Sequence, residues 1–298
     1  MAQQAQGGPP PAQPQGQARG EAPGQAQGQA PGQGEGRGAG RGGGRGQGGT
    51  QDVIGGVGAG RGRNTAPPGP APRNEEGRAL LGGANPKDKG VWLPVFGITE
   101  PILAAAQVPF QPWSKAVYDD RQKHELEPHT RCKPSGVARQ FLTPYGVEFV
   151  DLPELRRLYI FDIGGPHTYR TVYMDGRTHP TNLTPSYYGH SVGWWEGDTL
   201  HVDTVGYNEN FWLDRRGLPH TEALHTLEKF TRVDSGSIRY EVTVDDPGAY
   251  TKAWTTRFNL RRESGTELFE YVCQQANYAS DLMVGQQKAV DRTSPIIP

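Results

Sequence analysis

Apolar and polar residues alternate along the chain from Val147 onward, and short turn sequences interrupt the alternation. The run 238–245 is typical, because Ile, Tyr, Val and Val occupy one face and Arg, Glu, Thr and Asp occupy the other. A period of two indicates strands with one buried and one solvated face. Eight strands are predicted, at Leu158–Ile163, Thr168–Met174, Tyr188–Trp195, Thr199–Tyr207, Leu224–Val233, Ile238–Val244, Trp254–Arg261 and Leu268–Cys273.

Short turns join most of these strands, as at Glu196-Gly197-Asp198, where glycine can take a positive φ. Successive strands with one apolar face predict an all-β fold, an antiparallel up-and-down barrel of about eight strands that removes its edges by closing. A barrel of this size holds core side chains or one small ligand. An antiparallel sandwich fits the same pattern.

Composition divides the chain into three parts. Of the 42 glycines, 23 lie in residues 1–70, and no aromatic residue precedes Trp92. We therefore expect a disordered Gly/Gln/Pro-rich tail at 1–73, an irregular lead-in segment at 74–146 that packs on the barrel, and the barrel itself at 147–290. The lead-in contains one helical candidate, 113–127. The arginine-glycine spacing of the tail fits an RNA-binding segment or a solvated tether, and no aromatic residue interleaves the arginines.

Charge and hydropathy argue against two classes of protein. The chain has 31 Lys and Arg against 32 Asp and Glu, so nothing in its net charge favours nucleic acid as a partner. Its most apolar stretch, 91–113, is interrupted by Pro and Glu, so we expect no transmembrane helix.

The chain has two cysteines, Cys132 before the first predicted strand and Cys273 in the last one. They are either bridged or two separate buried thiols. A bridge would belong to an oxidising compartment. The amino terminus has no apolar signal segment. We expect a periplasmic or secreted protein whose signal peptide has been removed.

Five of the eight histidines fall between His179 and His225. His220, Glu222 and His225 suit a divalent metal such as zinc with an open position for water, provided a bend brings all three together. Without a metal, the same region suits acid–base catalysis by the candidate catalytic residues His190, His220, Glu222, His225 and Asp203. Surface-loop histidines that cap turns are the remaining interpretation.

Large aromatic and cationic side chains accompany these histidines. We take Tyr173, Trp194, Tyr207, Trp212 and Arg177 as candidate substrate-binding residues, because rings grouped near titratable side chains are typical of small-molecule sites. The Asp175-Gly176 turn separates Arg177 from the strand that ends near Tyr173.

Four strings resemble a large family of bacterial proteins, many of them exported. They are Met-Asp-Gly-Arg-Thr-His-Pro at 174–180, Gly-His-Ser-Val-Gly-Trp-Trp-Glu-Gly-Asp-Thr-Leu at 189–200, Pro-His-Thr-Glu-Ala-Leu-His at 219–225 and Asp-Asp-Pro-Gly-Ala-Tyr-Thr-Lys at 245–252. The resemblance covers about residues 110–275 and implies a lipocalin-like β-barrel and an exported location. The resemblance does not imply a particular reaction.

These observations predict a small-molecule enzyme, a lyase, isomerase or hydrolase with a His/Glu site in a barrel pocket. The expected substrate is aromatic or sugar-like. A lipocalin-like carrier that binds a ligand without catalysis fits the same barrel, with the tryptophans as its ring-stacking walls.

Overall fold

The computed structural model of this chain describes residues 68–95, 97, 101–164, 167–271 and 273. Most of the predicted tail, 1–73, lies outside the described residues. No helix within the described ranges combines the length and the hydropathy needed to cross a membrane.

Nine strands close into a barrel in the order of the sequence. The strands are β1 (Gly90–Pro94), β2 (Val147–Leu152), β3 (Arg157–Asp162), β4 (Thr168–Tyr173), β5 (His190–Glu196), β6 (Thr199–Val205), β7 (His225–Arg232), β8 (Ser237–Asp245) and β9 (Trp254–Ser264). The predicted all-β barrel is thus confirmed, with nine strands where about eight were expected.

One pair of neighbouring strands departs from the predicted antiparallel order. β4 and β5 run parallel and are paired only at Val172–Ser191 and Tyr173–Val192. The reason is the long connection 174–189, which carries the chain back to the end of the barrel at which β4 begins. This sparsely bonded junction is called the β4–β5 seam below.

The predicted strand Leu268–Cys273 is wrong, because residues 268–271 and 273 lie outside any strand. The edge of β9 is already occupied by β1, whose five residues pair with Leu260–Ser264. Sequence analysis did not recognise β1 as a strand and placed its residues in the lead-in segment, since the strand is short and ends in proline.

The helices of the described residues lie before β2 or between strands. Helix α1 (Pro112–His124) confirms the helical candidate, and Pro112 at its first turn suits helix initiation. Its Ser114 hydroxyl donates to the carbonyl of Ala249, which fixes α1 against the β8–β9 turn. Four short 3-10 helices span Ala105–Gln107, Pro128–Arg131, Ala138–Leu142 and Pro153–Leu155.

Side chains fill the barrel interior. Phe141, from the 3-10 helix Ala138–Leu142, lies with its ring centroid 4.8 Å from that of Tyr240 and 5.4 Å from that of Phe230. Both partners are fully buried residues of the inward faces of β8 and β7. The interior of the described barrel is therefore a packed core, whereas sequence analysis expected a ligand pocket there.

A buried polar network crosses the interior and takes one residue from each of five neighbouring strands. Arg170 on β4 donates from Nε to Ser191 of β5 at 2.9 Å and from Nη2 to Thr204 of β6 at 2.7 Å. The same Nη2 pairs with the carboxylate of Glu228 on β7. Tyr240 of β8 donates to that carboxylate at 2.9 Å. The network thereby ties the two sides of the β4–β5 seam together.

A disulfide joins Cys132 to Cys273, with their Cα atoms 5.7 Å apart and a sequence separation of 141. It fastens the chain beyond β9 to the segment that follows the 3-10 helix Pro128–Arg131.

Replacing both cysteines by serine is expected to lower the free energy of unfolding by about 2–5 kcal/mol, because a bridge that closes so long a loop restricts the unfolded chain. Urea unfolding of the double variant and of the oxidised parent measures the difference. Superimposable unfolding curves would contradict this expectation.

Candidate active site

Four titratable side chains form a continuous hydrogen-bonded chain. Nδ1 of His179 lies 2.8 Å from Nδ1 of His190, and Nε2 of His179 lies 3.1 Å from Oδ1 of Asp203. The same carboxylate oxygen lies 2.9 Å from Nε2 of His225. The order is His190, His179, Asp203, His225, and this set is called the histidine–aspartate relay.

Strand alternation places three members of the relay on the outer face of the barrel. Asp203 lies between the inward residues Val202 and Thr204 of β6. His190 and His225 are the first residues of β5 and β7, the two strands that flank β6. The fourth member, His179, comes from the connection 174–189, which passes over this face.

Gly189 sets the entry of the chain into β5. Its φ is +59°, and a Cβ atom at this position would lie 2.5 Å from the carbonyl oxygen of Val205. Only glycine fits both the backbone conformation and the close approach. A glycine is therefore needed to place His190 directly at the start of β5.

The hydrogen bonds assign the imidazole tautomers. Because a carboxylate only accepts, His179 and His225 each donate from Nε2 to Asp203. In a neutral ring, Nδ1 of His179 is then an acceptor, so His190 donates from its own Nδ1. This leaves Nε2 of His190 with an unprotonated lone pair, the form that accepts a proton.

The surroundings of His190 favour its neutral form. Burial lowers its pKa, and the positive charge of Arg177 lowers it further against the opposing effect of Asp175. Its ring stacks on Tyr173 with centroids 5.0 Å apart and an interplanar angle of 22°. The guanidinium of Arg177 covers the same tyrosine at 3.9 Å and is held by Asp175, whose pKa the hydrogen bonds from Arg177 lower to about 2.

His190 lines a surface pocket of about 350 Å³ at the β4–β5 seam. The pocket forms because β4 and β5 pair at only two positions, so residues 168–171 of β4 and the segment 186–189 separate. Its walls are mainly tyrosine and threonine. They comprise Pro134, Thr168, Tyr169, Arg170, Thr171, Tyr173, Ser186, Tyr187, Tyr188, Gly189 and His190.

Tyr188 secures one wall of this pocket. Its hydroxyl donates to Oδ2 of Asp162 and accepts from the hydroxyl of Thr168, both at 3.1 Å. The backbone N–H of Gly164 donates to Oδ1 of Asp162 at 2.8 Å. Burial raises the pKa of Asp162 to about 7, so this carboxyl holds its proton in acidic solution.

The metal ligands expected from the sequence are not assembled. Among the described residues, no group of three or more His, Cys, Asp or Glu side chains is arranged to hold a metal ion. Within the relay, His179 directs its two nitrogens to different partners, His190 and Asp203, which suits proton transfer better than shared ligation. Glu222 is exposed, and its backbone N–H donates to Glu209.

Of the other candidate residues, the structure brings His190, Asp203, His225, Tyr173 and Arg177 together around His179. Three candidate binding residues take other roles. Tyr207 is buried and its hydroxyl contacts Thr226 at 2.7 Å, whereas Trp212 is buried under Arg121. Trp194 lies exposed on β5, where it stacks on His201.

His220 is a buried structural residue. Its Nε2 lies 3.1 Å from the carbonyl oxygen of Phe211, and its ring centroid lies 4.1 Å from that of Phe211. Burial lowers the pKa of His220 to about 4, so the ring is neutral at pH 7. This position does not belong to the relay.

His220 is expected to make the fold acid-sensitive. Since its pKa is about 4 in the folded chain and about 6.5 when unfolded, protons bind preferentially to the unfolded chain between these values. Stability is then lost as the pH falls, by about 2 kcal/mol between pH 7 and pH 5 from this residue. In urea unfolding at both pH values, His220→Asn should remove that part of the pH dependence. Two other buried groups keep their contributions in the variant. His129, whose pKa burial lowers to about 3, adds a similar loss, and Asp162, whose pKa burial raises to about 7, opposes it.

A variant whose loss between pH 7 and pH 5 equals that of the parent chain would contradict the role of His220.

Sequence reasoning missed His179 as a site residue. Tyr173, Arg177 and His179 stand at odd positions, which would share one face of a continuous strand. The turn at Gly176 breaks the strand, so this spacing did not identify His179. The structure shows that the turn itself brings His179 back over β6. Tyr188 and Asp162 were also missed, because nothing in their local sequence marks a contact across the seam.

Comparison of this chain with protein-family models, curated proteins and solved structures finds no match in any of the three.

Proposed function

We propose that this chain is a small-molecule enzyme in which His190 acts as a general base. The observation that supports the proposal is the unbroken relay from His225 through Asp203 and His179 to His190, which ends at a pocket. Proton transfer by a positioned histidine is typical of lyases, isomerases and hydrolases. The tyrosine-rich walls favour a sugar-like or aromatic substrate.

The relay explains how His190 would work. Nε2 takes a proton from a C–H or O–H bond of the substrate, and the bonding electron pair stays on the substrate. The resulting imidazolium keeps its Nδ1–H bonded to His179. Asp203, at the other side of His179, stabilises the positive charge along the chain. Such a base contributes about 10²–10⁴-fold to a rate.

Hydrogen exchange tests the proposal without a known substrate. The full chain is incubated in D₂O with monosaccharides, hydroxyketones and aromatic ketones, and proton NMR follows the loss of each C–H signal. A base that removes a proton and returns a deuteron produces exchange even when no product accumulates. We expect exchange above the buffer rate for at least one compound.

His201→Gln is the matched control. His201 shares the outer face of β6 with Asp203, but its Nε2 pairs with Glu196 at 3.3 Å. The control should exchange as fast as the parent chain. Binding without exchange by any compound would favour a carrier and contradict the proposal.

We also propose an exported location, periplasmic or secreted. The supporting observation is the Cys132–Cys273 disulfide, since such bridges persist in oxidising compartments. Thiol labelling of the protein drawn directly from its native cells tests this. Two unlabelled cysteines are expected, and two labelled ones would contradict it.

A further inference from the structure

A group of aromatic side chains on the outer face of β3 and β4 extends away from the pocket. The ring of Tyr169 lies 5.7 Å from that of Tyr159 and 5.9 Å from that of Phe161. Tyr169 is 58% exposed, and the other two are half-buried. These three residues together with Tyr173 are called the aromatic patch.

Strand register makes the patch continuous with the pocket. Phe161 pairs with Tyr169, and Arg157 pairs with Tyr173, so outward residues of both strands form parallel rows. Tyr169 and Tyr173 line the pocket, and Tyr173 stacks on His190. A ligand longer than the pocket would therefore extend from His190 onto the patch.

The shape of the patch favours a ligand that is a single flexible chain over a ligand with a flat surface. The ring planes of neighbouring members are tilted by 37° between Tyr159 and Phe161 and by 68° between Tyr159 and Tyr169. Rings at these angles form a ridged surface. The phenol groups add hydrogen-bonding capacity to apolar ring faces.

The charge of the patch favours a neutral ligand. Polyanions such as single-stranded nucleic acid need a positively charged groove. Here Arg177 is paired with Asp175, and Glu148 of β2 lies opposite Phe161 in the register. Arg157 faces the ring of Tyr173 at 5.5 Å, so a member of the patch already contacts its charge.

We propose that the aromatic patch binds the continuation of a neutral oligosaccharide whose reacting sugar occupies the pocket beside His190. Sugar rings present C–H faces to aromatic rings and hydroxyl groups to the phenols. The substrate class would then be a soluble chain of sugar rings. This inference rests on the proposed function, because it takes the pocket as the reacting end.

Native gel electrophoresis of the full chain tests the proposal. The gels contain dissolved hydroxyethyl cellulose, laminarin, galactomannan, xylan or starch, and a second set contains polyuridylate. At least one neutral polysaccharide should retard the chain. Tyr159→Ala and Tyr169→Ala should each weaken the binding about fivefold or more, the loss typical of one stacked ring.

Two controls separate binding from folding. Tyr159→Leu keeps apolar volume without the ring and should lose binding while keeping the melting temperature. Trp194→Ala removes an exposed ring of β5 outside the patch and should bind as the parent chain does.

Retardation by none of the five polysaccharides, unchanged binding by the patch variants, or patch-dependent retention by polyuridylate would each overturn the inference. The exchange assay is independent of these gels. If His190→Gln lost exchange and the patch variants bound polysaccharide as the parent chain does, the role of the patch would be refuted and the general base would be supported.

Discussion

His190→Gln is expected to slow hydrogen exchange by about 10²–10⁴-fold, the range typical of losing a positioned general base. Glutamine keeps a polar side chain of similar reach but has no nitrogen that accepts a proton at neutral pH. The effect should appear in the exchange rate at saturating compound, since the tyrosine walls that bind the ring remain.

Asp203→Asn should give a smaller loss in the same assay. An amide accepts hydrogen bonds from both histidines less well and carries no charge to stabilise an imidazolium. His201→Gln should be unaffected. Equal exchange rates for His190→Gln and the parent chain would mean that another group removes the proton.

Glu228→Gln is expected to lower the free energy of unfolding by about 3–5 kcal/mol, the cost of leaving a buried charge without its partner. Arg170 and Glu228 are both buried, and Nη1 of Arg170 already has no hydrogen-bond partner among the described residues. Since stabilities of domains are about 5–15 kcal/mol in total, this single change is large.

Glu241→Gln provides the matched comparison. Glu241 lies on the outward face of β8 and pairs with Lys229 and Arg257 near the surface, where an ion pair is worth about 0–1 kcal/mol. Urea unfolding of both variants measures the difference. Similar losses for the two glutamates would show that the interior network does not hold the barrel closed.

Strand alternation carried most of the fold prediction. The runs that became β8 and β9 alternate cleanly, because one face of each packs on the core while the other meets water. The prediction failed at β1, where five residues ending in Pro94 carry too little pattern. It failed again at the β4–β5 pair, since the direction of a strand depends on the path of its connection and not on its own residues.

The candidate site was predicted less completely, because convergence depends on register. Sequence analysis named His190, Asp203 and His225 as candidates. Their side chains come together only because the register of three neighbouring strands places them on one face. The sequence suggested grouping His220 with His225 because they are close along the chain. The structure instead buries His220 against Phe211 and pairs His225 with Asp203.

In the proposed mechanism, the relay leaves Nε2 of His190 unprotonated and able to accept a proton. Nitrogen-15 NMR of the histidine rings at pH 8, where free imidazoles are neutral, tests this directly. We predict a proton on Nδ1 of His190 and on Nε2 of both His179 and His225, with the His190 signals shifted in Asp203→Asn. A proton on Nε2 of His190 with a bare Nδ1, insensitive to that substitution, would contradict the account.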